Sequence, residues 1–140
     1  MNKNNNFNTR TLNDLSEIKF ASDMANLSEK IFSDYAESLA KQIATNGTKN
    51  KRTQIRKFYD EIIMWDDKVN LDNNEYNKSK VLFKMMKAKI AYSLGREYID
   101  ENFKNMFNTL IDQVNNANTL RQFKLFFEAF MGYYRIEKKD

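Results

Sequence analysis

Hydrophobic side chains recur at intervals of three and four along most of this chain, which is the period of an amphipathic helix. Met24, Leu27, Ile31, Phe32, Tyr35, Leu39 and Ile43 predict a first helix over about Asp23–Ala44, with Ser22 as N-cap and Asn46-Gly47 as the stop. Ile55, Phe58, Tyr59, Ile62, Trp65 and Val69 predict a second, starting near Asn50 to Thr53 and broken by Asp72-Asn73-Asn74. In the third, about Glu75–Glu97, apolar residues from Val81 to Leu94 spread round most of the circumference, the pattern of a central helix. Phe103, Met106, Phe107, Leu110, Ile111 and Val114 predict a fourth over about Asp100–Val114, ended by the Asn115–Asn118 run. A fifth opens on Thr119-Leu120-Arg121-Gln122, read as a capping box, and continues through Phe123, Phe126, Phe127, Phe130, Met131 and Tyr134.

The expected fold is therefore all-α, a single compact bundle of about five helices over residues 9–140. Residues 1–8 carry five asparagines and are expected to be disordered, because so polar a stretch cannot bury enough surface to offset ordering entropy. Proline is absent and glycine occurs only three times, which also favours long helices over sheets and tight turns.

Composition narrows the chemistry further. There is no histidine and no cysteine, so the commonest general base, thiolate catalysis, disulfides and Cys-ligated zinc are all excluded. Asp66-Asp67 and Asp100-Glu101 are adjacent pairs that point apart, which leaves no credible metal or acid–base site. The expectation is a non-enzyme without metal or cofactor. No stretch approaches the roughly eighteen apolar residues of a spanning helix, and the Asn-rich start does not read as a signal peptide, so a cytoplasmic location is expected.

The net charge of +4 is modest, but its distribution is uneven. Thr48–Tyr59 holds five basic residues and no acidic one, Asp60–Glu75 holds one basic against six acidic, and Tyr76–Arg96 holds six basic and none acidic. The first of these blocks sits where a loop becomes the second helix. A helix start exposes free backbone N–H groups and the positive end of the macrodipole, so Lys51, Arg52, Gln54, Arg56 and Lys57 there form a candidate phosphate grip. A solvated helix end is the plain alternative. On the third helix Lys78, Lys89 and Arg96 are spaced by eleven and seven residues and project within about 20° of one another. Lys80, Lys84 and Lys87 read as its wet face. Gly95 suits either helix packing or close approach of a ligand. Arg121 and Lys124 are weaker candidates, since the phenylalanines beside them keep core spacing and read as buried rather than as a base-stacking platform, with Tyr133 falling off that face.

Three pieces in order resemble the small helical (Csm-type) subunit of the type III-A CRISPR-Cas effector complex. They are Arg52-Thr53-Gln54-Ile55-Arg56-Lys57-Phe58, then Ala91-Tyr92-Ser93-Leu94-Gly95-Arg96-Glu97, and finally Thr119-Leu120-Arg121-Gln122-Phe123 with Phe127-Glu128-Ala129-Phe130-Met131-Gly132-Tyr133-Tyr134. The resemblance runs from about Thr48 to the C-terminus. It departs from the pattern where Lys51-Arg52-Thr53 stands in place of a Thr-Thr-Ser cap, and Gly132 in place of alanine. It implies a non-catalytic RNA-binding subunit, several copies of which stack as a filament beside other subunits of the Csm complex, following the guide RNA and its paired target RNA in antiviral defence. The implied RNA contacts are Lys51, Arg52, Gln54, Arg56, Lys57, Lys89, Arg96, Arg121 and Lys124. Two other readings of the same residues stay open: a helical protein–protein adaptor with basic faces, and a peripheral binder of anionic membranes.

Overall fold

The computed structural model describes residues 11–140, so the expectation for residues 1–8 lies outside the described residues. Six α-helices follow two short 3-10 turns at Leu15–Glu17 and Met24–Asn26. They are α1 (Asp34–Ile43), α2 (Arg52–Val69), α3 (Asn73–Lys84), α4 (Met86–Gly95), α5 (Glu101–Ile111) and α6 (Ala117–Glu137). No strand occurs among the described residues. The all-α expectation holds.

The centre of the bundle is α6, not the helix expected there. Phe123, Phe126, Phe127, Phe130 and Tyr134 are fully buried, and α6 packs along both α1 and α2. Phe127 lies 5.3 to 6.3 Å, ring centre to ring centre, from Phe103, Phe107, Phe123, Phe126 and Phe130. These are mostly the edge-to-face and tilted geometries that aromatic quadrupoles favour. The buried apolar side chains, from Leu12 to Tyr134, form one core. Tyr133 is half-buried against that core rather than free.

Further expectations are corrected. The third helix is two: α3 ends and α4 begins at Met85, where the Met85 N–H bonds Leu82 O at 3.1 Å in a tightened turn. Its apolar residues divide accordingly. Phe83, Met86 and Ile90 are buried, while Val81, Leu82, Met85 and Tyr92 are exposed, so the all-round pattern came from summing a core face and a bare surface stripe.

The first helix starts at Asp34, eleven residues later than its periodicity suggests, and Ser22 caps nothing there. Local side chains compete for the backbone: Asp23 Oδ1 accepts from Ala25 N and Ser28 Oγ from Lys30 N, which favours turns over helix. The irregular segment is instead fastened by glutamine amides. Gln113 bonds Phe20 N and Ile18 O, Gln122 bonds Ala21 N and O, and Gln42 bonds Asn13 N and O, all at 2.7 to 3.0 Å.

The cap of α6 is Asn116, whose side chain accepts from Thr119 N while Thr119 Oγ1 accepts from Asn116 N, so Thr119 is the last residue of the box, at N3, and not its first. Finally, Lys84 is no wet-face residue. Its ammonium donates to Ile111 O and Val114 O at 2.7 and 2.9 Å, satisfying carbonyls at and just beyond the end of α5, and burial pulls its pKa below the usual lysine value. Within the chain Gly95 serves no helix packing, since a Cβ added there would meet no atom within 4 Å.

Candidate nucleic-acid interface

The loop 44–51 that delivers the basic cluster is rigidly held by polar groups. Asn46 Oδ1 accepts from Thr48 N and Lys49 N at 3.0 and 2.9 Å, closing an Asx turn, and its amide donates to Asp100 Oδ2. Lys138, only 5% exposed, donates its ammonium to Asn46 O and to Lys49 O, the latter at 2.9 Å.

Asn50 joins four segments. It is fully buried with φ of 60°, a left-handed conformation that asparagine tolerates better than most residues. Its N–H donates to Tyr98 O at 3.0 Å, its amide to Ile43 O at 3.3 Å, and its Oδ1 accepts from Asp100 N at 3.0 Å. Tyr134 OH donates to the Asn50 carbonyl, and that phenol is pushed well above its ordinary pKa, first by burial and then by the Asp140 and Asp100 carboxylates. Sequence reading missed Asn50 because an asparagine in a polar loop looks like an ordinary turn residue; its burial is decided by residues 43, 98, 100 and 134.

From this anchor α2 begins at Arg52. Lys51 occupies the N-cap with extended backbone and no side-chain cap bond. The role is taken from a distance: Asp140 Oδ1 accepts from Arg52 N at 3.3 Å, and the Arg52 Nε donates to the Asp140 backbone oxygen at 2.8 Å. Between the start of α2 and the end of α6 lies a groove of about 660 Å³. It is lined by the cations of Lys51, Arg52, Arg56, Lys57 and Arg135 and by the carboxylates of Asp60 and Asp140, five positive groups against two negative, with Met131 along its α6 side. Arg135 was not among the sequence candidates, although the 121, 124, 128, 131, 135 spacing on α6 was a signal that could have found it.

The two ion pairs of the groove are held unequally. Arg56 Nε meets Asp60 at 3.1 Å with both side chains about 60% exposed, whereas Arg52 is fastened to Asp140 by its backbone N–H and its guanidinium, with both side chains about a third exposed or less. An exposed pair such as Arg56–Asp60 contributes roughly 0 to 1 kcal/mol, so a phosphate can replace that carboxylate at little cost. Lys51 and Lys57 are exposed and have no carboxylate within 4 Å among the described residues. Gln54, half-buried, lies one turn into the same helix.

The remaining candidates fall into two groups. Lys89 is paired to Glu61 at 2.8 Å, tying α4 to α2, and Arg96 lies beside the loop, because its neighbours Glu97 and Tyr98 contact Lys49 at 3.7 Å and Asn50 at 3.0 Å. Arg96 is thereby brought to the basic corner, while Lys89 is engaged by Glu61 further along α2. Arg121 and Lys124 are engaged by carboxylates as well: the Arg121 Nε reaches both oxygens of Asp66 at 3.0 and 2.8 Å, and Lys124 meets Glu128 at 3.0 Å. Asp66 is 2% exposed, so Arg121 neutralises a carboxylate that burial would otherwise leave unpaired, clamping α6 to α2.

No group of three or more acidic side chains placed to hold a metal ion occurs among the described residues, and no helix there is long and apolar enough to cross a membrane. Comparison with curated proteins and with solved structures gives no match. Residues 26–140 do match a family model, Csm2 Type III-A, and this span covers the groove, its anchor at Asn50 and the whole of α1 to α6. The chain belongs to the Csm2 family of type III-A CRISPR-Cas systems, the small subunit of the Csm complex.

Proposed function

We propose that this chain is a non-catalytic RNA-binding subunit that grips the phosphate backbone of a guide RNA paired to its target RNA, several copies stacking along the duplex within a cytoplasmic Csm complex. The observation that carries the reading is the groove at the start of α2, where five cations face two carboxylates, of which Asp60 is held only by an exposed pair. Lys51, Arg52, Arg56 and Lys57 meet phosphates, with Arg135 opposite them. Gln54 donates to phosphate or 2'-hydroxyl, and Lys89 and Arg96 extend the track. Arg121 and Lys124, already engaged by Asp66 and Glu128, take a secondary part. Sequence is read by base pairing between guide and target, so the chain needs only backbone and shape contacts. The exposed stripe of Val81, Leu82 and Met85 favours contact with a neighbouring subunit, which fits a stacked arrangement among other Csm subunits.

The test is the double variant Arg52→Glu, Arg56→Glu measured for binding to a guide–target duplex. Affinity is expected to fall about tenfold or more, with a shallower dependence on salt, because each neutralised phosphate contact contributes to counterion release. The circular dichroism of the bundle is expected to stay unchanged. Unchanged RNA affinity in a folded variant contradicts the assignment.

A further inference from the structure

Beside its phosphate contacts the basic corner carries aromatic groups, two tyrosine rings gathered about Arg96. Arg96 lies with its guanidinium carbon 5.8 Å from the ring centre of Tyr92 and 5.3 Å from that of Tyr98, and its Nη1 donates to Tyr92 OH at 2.9 Å. Among the described residues no carboxylate comes within 4 Å of Arg96, whereas Arg52, Arg56, Lys89, Arg121 and Lys124 each have one. Tyr92 is 62% exposed and Tyr98 38%. Two open aromatic rings and an unpaired planar cation are therefore assembled on the surface.

The assembly is held in place from below. The Tyr98 N–H bonds Ser93 O at 3.0 Å, its carbonyl accepts from buried Asn50, and the turn between passes through Glu97 in the left-handed region with φ of 63°. Because Asn50 also leads directly into Lys51 and Arg52, the aromatic group is fixed to the same anchor as the groove.

We infer that Tyr92, Arg96 and Tyr98 form a stacking site for an unpaired RNA base, beside the phosphate-binding groove. This rests on the proposed RNA-binding role and adds a ligand group to it. The chemistry suits a nucleobase: every base offers a flat π-face to a tyrosine, and the guanidinium adds both a stacking plane and hydrogen-bond donors at its edge. Lys89 lies one turn before Tyr92 on the same helix and Lys49 meets Glu97 beside Arg96, so cations border the site and favour a ligand that carries its own phosphates. The site accordingly takes a base that has left the duplex, and gains nothing from one that is paired.

Two RNA duplexes of one sequence, fully paired or with a single bulged adenosine, distinguish these cases by fluorescence anisotropy on the full chain. The wild-type chain is expected to bind the bulged duplex about fivefold or more tightly than the paired one, within the range that stacking of one base supplies. Tyr92→Ala is expected to remove that preference while leaving the paired duplex unchanged, and Tyr92→Phe to keep it. No preference in the wild type, or an equal loss on both duplexes in Tyr92→Ala, overturns the inference. Failure of the groove itself is separately visible, since Arg52→Glu with Arg56→Glu then changes neither duplex.

Discussion

Replacing Asn50 with alanine is expected to lower stability by about 3 kcal/mol, and the melting temperature by roughly 10 °C, in a domain of this size. The substitution leaves Asp100 N–H and Ile43 O without their side-chain partners in a fully buried site, and each orphaned group costs about 1 to 3 kcal/mol. It also forces a Cβ-bearing residue without asparagine's local hydrogen bonds to hold φ near 60°. Asn50→Gly relieves only the backbone part, so it is expected to fall between alanine and the wild type. RNA affinity should drop with Asn50→Ala although Asn50 carries no charge, because the loop that aims Lys51 and Arg52 and the turn that holds Tyr98 share this one anchor. Thermal unfolding followed by circular dichroism checks the first part. An alanine variant that melts with the wild type would mean that the four segments are joined elsewhere.

The second large effect is confined to stability. Phe127→Ala is expected to cost about 3 to 5 kcal/mol, the usual range for emptying a buried aromatic site. Phe127 is fully buried and meets five other phenylalanine rings, so the cavity has few flexible neighbours to collapse into it. Since a domain of this kind has only about 5 to 15 kcal/mol to lose, this single change takes a large share. Urea denaturation is expected to show a lower midpoint at unchanged slope. Val81→Ala serves as the control: 73% exposed on the surface stripe, it should shift stability by no more than about 0.5 kcal/mol. A Phe127 variant as stable as the Val81 variant would contradict the placement of α6 at the centre.

These two residues also mark what could be read from the sequence. Phe127 was legible because it sits on an uninterrupted three-four repeat, and one helix face is enough to declare it core. The same rule misled at Val81, Leu82, Met85 and Tyr92, since periodicity reports that a side chain is apolar but not whether anything covers it. It misled again at Met24 and Leu27, where Asp23 and Ser28 turn the backbone away from a helix despite good spacing.

In the site, the basic block from Lys49 to Lys57 was legible as local sequence, and its position at a helix start followed from the second hydrophobic repeat. What surrounds it was not. Asp140 and Arg135 reach the groove from the far end of the chain, and Asn50 acquires its partners from residues 43, 98, 100 and 134. Such long-range pairings leave no periodic trace. Arg121 illustrates the converse: its charge suggested an anionic ligand, and the anion it meets is the chain's own Asp66, 55 positions away.

The most direct test of the central claim is purification of this chain from its native source under nuclease treatment, with analysis of what remains attached. The account predicts that the chain emerges with other Csm subunits and a nuclease-protected guide RNA, and that Arg52→Glu with Arg56→Glu reduces target RNA retained on that complex. Partners that stay attached with no protected RNA would contradict it and make the basic faces protein-docking surfaces instead.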